Sequence, residues 1–455
     1  MKASYLSKKN LIAKIPVPNE KIYIREQKGS YQRIRRTLSF GLMMLFILIP
    51  FIKHNNAQAV LFDLQQQKLH IFSFTFFPQD LFVVSLALIL AAFLLFYVTK
   101  LYGRIWCGFT CPQTVWMLIF TWVERRVEGT HHQSKSLDTQ PFTSEKLVKK
   151  VIKHFIWGAI SLFTALVFIS YFVPVEELYE QFFFMEASSL VTYWVLFFSV
   201  CTYVNAGWIK EKMCLHMCPY ARFQSAMFDN STKLVTYDHR RGENRGKRKR
   251  TQIIKPNMGD CVDCNLCVQV CPVGIDIRNG LQYECINCGL CVDACDMTME
   301  KFNYDKGLIS FASKKTLKSN WKSHISYGGA ASLIIFSMLA WILSWQSFEV
   351  NIARDRQALY RVSYDGVIEN TFLLKIRNKS NKKKTFQVFI EGINSAKIKG
   401  HTSIAVLPGE LKISAITVVI NESLPEFKNQ IKFNVLDKTS KETVRISTYY
   451  YSNAN

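Results

Sequence analysis

Residues 81–113 read LFVVSLALILAAFLLFYVTKLYGRIWCGFTCPQ. The part at 81–98 is apolar apart from Ser85 and Tyr97, close to the roughly 20 residues with which a helix crosses a bilayer. Where the chain should leave lipid it carries Cys107 and Cys111, followed by Pro112. The arrangement returns at 212–221, KMCLHMCPYA, with Cys214, Cys218 and Pro219, again after an apolar run. A span that ends in a spaced cysteine pair, twice over, makes this a membrane fold with a metal or redox question attached.

The 455 residues are 49% hydrophobic and carry a formal net charge of +23. Such a surplus suits nucleic acid or a membrane with basic cytoplasmic loops. The basic residues flank apolar runs, which favours the membrane and argues against nucleic acid. Apolar segments at 38–52, 81–98, 155–173, 190–209 and 325–345 predict five spans, and 105–123 is a sixth candidate. Residues 1–36 hold ten Lys/Arg and two acids, which places the N-terminus in the cytoplasm. Residues 174–189 hold four glutamates and no Lys or Arg, which suits the opposite side. The alternation works only if 105–123 does not cross, so it reads as a re-entrant or interfacial piece. The basic run RRGENRGKRKR at 240–250 then reads as an inside-facing loop that meets anionic lipid.

The expected domains are a cytoplasmic N-terminal segment at 1–37, a four-span membrane region at 38–209, a cytoplasmic insert at 210–324, a fifth transmembrane helix at 325–345 and an outer β domain at 346–455. In that last part TFLLKIRNKSNKKKTFQVFIEG, TSIAVLPGELKISAITVVI and QIKFNVLDKTSKETVRISTYYY alternate in the manner of strands joined by polar turns. Short strands in this number suggest a β-sandwich. A span, a loop, a span and CxxxCP occur at 38–112 and again at 155–219, which predicts two related hairpins.

The insert carries CVDCNLCVQVCP at 261–272 and CINCGLCVDACD at 285–296. Each is C-x2-C-x2-C-x3-C, the spacing of two-cluster bacterial ferredoxins, in which the fourth cysteine ligates the other cluster. The spacing assigns Cys261, Cys264, Cys267 and Cys295 to one [4Fe–4S] cluster and Cys285, Cys288, Cys291 and Cys271 to a second. Zinc is the alternative for CxxC pairs, but its sites usually have two separated pairs or histidines. Asp296 stands where proline is usual, and an acid there disfavours the more negative reduced form. There is no CxxCH for c-type haem and no GxGxxG or Walker sequence.

On a helix, Cys107 with Cys111 and Cys214 with Cys218 each share a face at i and i+4. Four such sulfurs suit copper(I), zinc or iron–sulfur. His216, Met213, Met217 and Met117 lie near enough in sequence to contribute. Cys201, alone in an apolar run, reads as a small buried residue.

The order of these parts, with WCGFTCPQTVW and CLHMCPYARFQSAMFD, resembles the cytochrome c oxidase accessory proteins called CcoG, FixG or RdxA, over nearly the whole chain. The resemblance implies a bacterial inner-membrane protein with an immunoglobulin-like C-terminal domain in the periplasm. It implies a copper(II) reductase that supplies copper(I) for assembly of cbb3-type cytochrome oxidase, with copper handled at Cys107, Cys111, Cys214 and Cys218. The expected partners are oxidase subunits or assembly factors, a cytosolic electron donor, membrane lipid and a second copy of the chain. A quinone-linked electron conduit and a redox-sensing assembly scaffold are the alternative functions.

Overall fold

The computed structural model describes residues 21–54, 57–72, 74–229, 231–250, 258–313, 321–355, 358–363, 366–380, 382–393, 395–420 and 426–452. The basic residues at 2–14 and the terminal Asn455, on which part of the expected orientation rests, lie outside them. The helices in chain order are α1 Ser30–Leu48, α2 Leu81–Tyr102, α3 Ile105–Phe109, α4 Pro112–Glu128, α5 His131–Thr139, α6 Ser144–Ile169, α7 Val175–Phe183, α8 Ser189–Tyr203, α9 Pro219–Ala226, α10 His239–Gly242, α11 Leu266–Gln269, α12 Leu290–Lys301 and α13 Trp321–Leu343. Among the described residues five helical stretches are long and apolar enough to cross a membrane: Ser30–Phe51, Leu81–Tyr102, Ser144–Ile169, Ser189–Ile209 and His324–Leu343. The segment 105–123 makes no sixth. The chain breaks at Thr110 and Cys111, whose ψ is 131°, and continues as the 17-residue α4 from Pro112.

Two compact units emerge, one of residues 1–52 and 84–337, the other of 53–83 and 338–455. In the first, the most extensive helix pair is α6 with α8, and Leu166, Ile169 and Val195 are buried with Leu178 of α7. The expected first hairpin does not form in the same way, because α1 packs chiefly on α3 and α12. Asp293, in the first turn of α12, accepts the Tyr31 and Gln32 amides at 3.2 and 2.9 Å. It thereby satisfies free N–H groups at the start of α1. A Cβ on Gly29 would stand 2.2 Å from Asp293 Cγ, so only glycine admits this cap. Cys201 is exposed on α8 rather than buried, on a helix whose apolar faces point outward.

Glu128, with no exposed side-chain surface, receives Lys150 at 2.7 Å, Lys153 at 2.8 Å and the Ser134 hydroxyl at 2.6 Å. Burial alone would raise its carboxyl, but the hydrogen bonds from these groups hold it below the ordinary glutamate value. Glu128→Ala strands the buried Lys153 ammonium, while Lys150 keeps Asp138 at 2.5 Å, and should cost about 3–5 kcal/mol. Thermal unfolding of the full chain in detergent checks this, and an unchanged midpoint refutes it.

The second unit is an antiparallel sandwich. One sheet runs Ala396–Lys399, Leu411–Ile420, Ile368–Asn378, Phe348–Arg354, with Arg361–Val362 also on Ile368–Asn378. The other runs Ser403–Val406, Lys384–Glu391, Lys428–Asp437, Thr443–Tyr451. Alternate residues of Ile368–Asn378 are buried, among them Phe372, Leu374 and Ile376, against Phe386, Phe433 and Val435 of the facing sheet. Of the turns expected from sequence, the one after Asp437 closes a hairpin, whereas those near 380 and 408 carry the chain between sheets. The span-to-span connection at 53–80 is no plain loop. It forms Val60–Asp63, Lys68–Ile71 and Phe74–Phe76 and belongs to this unit, where Asp80 accepts Lys379 at 2.9 Å.

Candidate functional site

Proline shapes both CxxxCP motifs alike. The residue before proline is driven to extended backbone, and proline is pre-set for the first helical position. Cys111 (ψ 131°) therefore precedes α4 with Pro112 inside it, and Cys218 (ψ 111°) precedes α9 with Pro219 inside it. Their partners Cys107 and Cys214 sit in the turn before, within α3 and the π-helical turn Met213–Met217. The pairs are thus not two positions on one continuous helix face. The break in the second repeat is held by the first: Gln113 Nε2 donates to the carbonyls of Asn205 and Lys210 at 3.2 and 3.1 Å.

The four sulfurs share one neighbourhood, although among the described residues no three of them close on a single ion: Cys214 has Cys111, Cys107 and Cys218 as neighbours, and Cys107 has Cys111 and Cys218. Burial pushes the Cys107 and Cys111 thiols up and takes Cys214 to about 12. Arg104, 1% exposed, opposes this at all three; its Nη1 donates to the Tyr283 carbonyl at 2.7 Å. The Cys107 thiol lies 3.2 Å from Gln224 Oε1, and Gln224 Nε2 donates to Thr99 Oγ1 at 3.2 Å. His216 and Met217 point to solvent or lipid, and Met117 is buried against the Glu124 region rather than among the thiols.

The two ferredoxin-type motifs fold as copies of one another. Asp263 and Asn265 flank Cys264 with φ of 50° and 57°, and Asn287 and Gly289 flank Cys288 with φ of 51° and 73°. These residue types tolerate the left-handed region, so the loops turn three thiols inward before α11 and α12 start. The charged neighbours of Cys295 are Cys267, Cys261 and Cys264. Those of Cys271 are Cys288 and Cys285, and those of Cys291 are Cys288, Cys285, Cys271 and, from the other set, Cys267. Burial pushes Cys267, Cys271 and Cys295 up to about 12 and Cys285 to about 11, so thiolates here need a cation. Among the described residues no three His, Cys, Asp or Glu side chains close on a single ion. The four thiols of the second set, with Cys267 of the first, instead line one apolar cavity. Two spread sets of four thiols fit two [4Fe–4S] cubanes better than single ions. Asp296 lies inside α12, where no turn follows Cys295, and accepts the Gly307 amide at 2.9 Å. The strands Leu234–Tyr237 and Ile309–Ala312 pair and close the insert.

The CxxxCP quartet abuts the second set directly. Cys107 shares an apolar cluster with Cys288, Ile286, Cys271 and Cys285. Gly108 lies so close that an added Cβ would meet the Ile286 carbonyl at 2.6 Å and Cys288 Cα at 2.9 Å. Arg104 also acts on Cys285, so one buried cation lies between the two groups of thiols. Sequence reasoning had passed over Arg104 and Gln224. Arg104 at the head of RIWCGFTCPQ was the available signal, since a charge at the end of an apolar run needs a partner.

Residues 209–314 match a family described as a 4Fe-4S dicluster domain, and residues 338–453 match one described as an IG-like fold at the C-terminal of FixG. The nitrogen fixation protein FixG of Rhizobium meliloti is 34% identical over 422 residues, 83% of this chain and 80% of that protein. Protein RdxA of Cereibacter sphaeroides is 32% identical, over 82% of this chain and 83% of its own. Protein RdxB of the same organism is 28% identical over 96% of this chain and 97% of its own. The crystal structure of a FixG-related protein from Vibrio parahaemolyticus aligns with 24% of this chain and 99% of its own at 25% identity, with a TM-score of 0.23.

Proposed function

The chain belongs to the FixG/RdxA family of membrane iron–sulfur electron-transfer proteins, and from that premise we propose that it reduces copper(II) to copper(I) at the CxxxCP quartet, for assembly of a cbb3-type cytochrome oxidase. The observation that carries this reading is the junction of Cys107 with Cys288, Cys271 and Cys285 in one apolar cluster. Clusters held by the eight ferredoxin-type cysteines supply one-electron carriers beside the quartet. The quartet's thiols bind the copper substrate, release their protons and, as soft donors, favour copper(I) over copper(II). Each copper(II) takes up one electron. Arg104 holds the thiolates against repulsion, and Gln224 fixes the Cys107 sulfur. The basic N-terminal segment and insert face the cytoplasm on this reading, and the β-sandwich faces the periplasm with the oxidase subunits or assembly factors.

Replacing Cys107 and Cys111 together with serine is the test. Iron content and the visible iron–sulfur spectrum should stay as in wild type, while copper(II) reduction by the pre-reduced protein falls to background. A double variant that retains both iron and the full copper rate removes the quartet from the reaction.

A further inference from the structure

The first span turns a polar face inward. Gln32, Arg35 and Ser39 are 5, 2 and 7% exposed and lie at i, i+3 and i+7, whereas Leu38, Phe40, Leu45 and Leu48 are exposed. Polar residues inside a bundle are ordinarily paired, and a buried polar atom left unpaired costs about 1–3 kcal/mol. Among the described residues Gln32 Oε1, Arg35 Nε and Nη2, Ser39 Oγ and Arg125 Nε have no hydrogen-bond partner. Gln32, Ser39 and Arg125 border one cavity of about 330 Å³, walled on its apolar side by Phe40, Met43, Leu118 and Trp122. The size suits a small ring system. A smaller neighbouring cavity joins Gln32, Arg35 and Arg125 to Pro272 and Leu290, the residues next to Cys271 and Cys291.

Charge selects among amphipathic ligands. Arg36 pairs with Glu26 at 2.5 Å and Arg125 with the same carboxylate at 3.5 Å. Arg35 stands behind the larger cavity, on the side of Pro272 and Leu290. The two guanidinium groups that border the larger cavity, Arg36 and Arg125, thus already share the Glu26 carboxylate. Gln32 Oε1 is an acceptor that needs a donor, while Ser39 Oγ and Arg125 Nε offer donors, so the ligand must both donate and accept, which a phosphodiester cannot do. A hydroquinone ring brings two hydroxyls, and its apolar ring and tail match the wall that opens between α1 and α4.

We propose that the α1–α4 cavity binds a membrane quinol, with a hydroxyl on Gln32, and that this quinol is the electron donor to the cysteine set beside it. Two quinol O–H bonds break and two C=O bonds form. The two electrons pass singly to the one-electron carriers at the two ferredoxin-type sets, and the two protons leave to water at the polar mouth by Glu26 and Arg36. Arg35, a buried cation on this side of α1, would favour the more negative reduced state of a cluster held by Cys271 and Cys288. The proposal rests on the iron–sulfur electron-transfer reading and is independent of copper.

The experiment uses the full chain in detergent with decylubiquinone as the probe. Binding is followed by quenching of tryptophan fluorescence, and electron entry by anaerobic bleaching of the visible iron–sulfur absorbance with decylubiquinol. Gln32→Leu removes the acceptor and Leu118→Trp fills the cavity. Each should weaken quinone binding by about tenfold or more, the equivalent of one hydrogen bond or lost apolar fit. Each should also abolish bleaching by quinol while leaving iron content and bleaching by dithionite intact. Wild-type binding in the iron-replete Gln32→Leu variant overturns the proposal. So does displacement of the quinone by cardiolipin vesicles, which assigns the cavity to lipid. Copper(II) reduction by dithionite-reduced protein bypasses the cavity, so the copper reading stands or falls separately.

Discussion

Cys271→Ser should empty the set that contains the second motif, although Cys271 belongs to the first. Its foremost cysteine neighbours are Cys288 and Cys285 of the other motif. Cys295→Ser should do the reverse, because its sulfur lies with Cys267, Cys261 and Cys264. Iron should fall in each variant from about eight to about four per chain. The paramagnetic spectrum of the reduced protein should change from two interacting spins to one isolated spin. Combining Cys271→Ser with Cys288→Ser should cost no more iron than either alone, whereas Cys271→Ser with Cys264→Ser should remove nearly all of it. If Cys271→Ser instead behaves as a partner of Cys264, each motif holds its own cluster and the exchange of fourth ligands is refuted.

The large features of this molecule were legible because they depend on short-range chemistry. Five apolar runs became five membrane-competent helices, since length and hydropathy alone set that outcome. Alternation in the tail became two sheets, since strand faces follow a period of two. What sequence could not give was the path between elements. The turns near 380 and 408 look like hairpin turns but cross between sheets, because pairing is decided by the inner faces that meet, not by the turn. The i, i+4 spacing of Cys107 and Cys111 suggested one helix face. Pro112 ends that helix before Cys111, and the sulfurs converge through the break instead. The strands at 57–76 were hidden by their shortness, and their membership of the C-terminal unit depends on contacts such as Asp80 with Lys379. The inward polar face of α1 was invisible for a related reason. Arg33, Arg35 and Arg36 look alike in sequence, yet only Arg35 is buried, because the register set by the Asp293 cap turns it inward.

Gly108 gives the sharpest test of whether the two groups of thiols work as one. In α3 it separates Cys107 from the rest of its motif and lies against the backbone of Ile286 and Cys288. Both atoms in the way of a Cβ are main chain or Cα, at 2.6 and 2.9 Å, so no side chain can swing aside to admit it. Gly108→Ala must move either α3 or the loop that presents Cys288. Gly108→Val must move it further, at a cost of about 1–3 kcal/mol for overpacking. The cysteines at 261, 264, 267 and 295 lie outside this contact, so the effect should be selective. Gly108→Val is expected to lose the iron held with Cys288 and to break electron delivery to the quartet. Gly108→Ala should keep the iron at reduced stability and slow copper(II) reduction. Gly158, in α6 with open space around it, provides the control. Gly158→Ala should leave iron and rate untouched and add up to about 1 kcal/mol of helix stability. Should Gly108→Val keep all its iron and transfer electrons to copper at the wild-type rate, the close approach of α3 to Cys288 is mere packing, and electrons reach copper by some other surface.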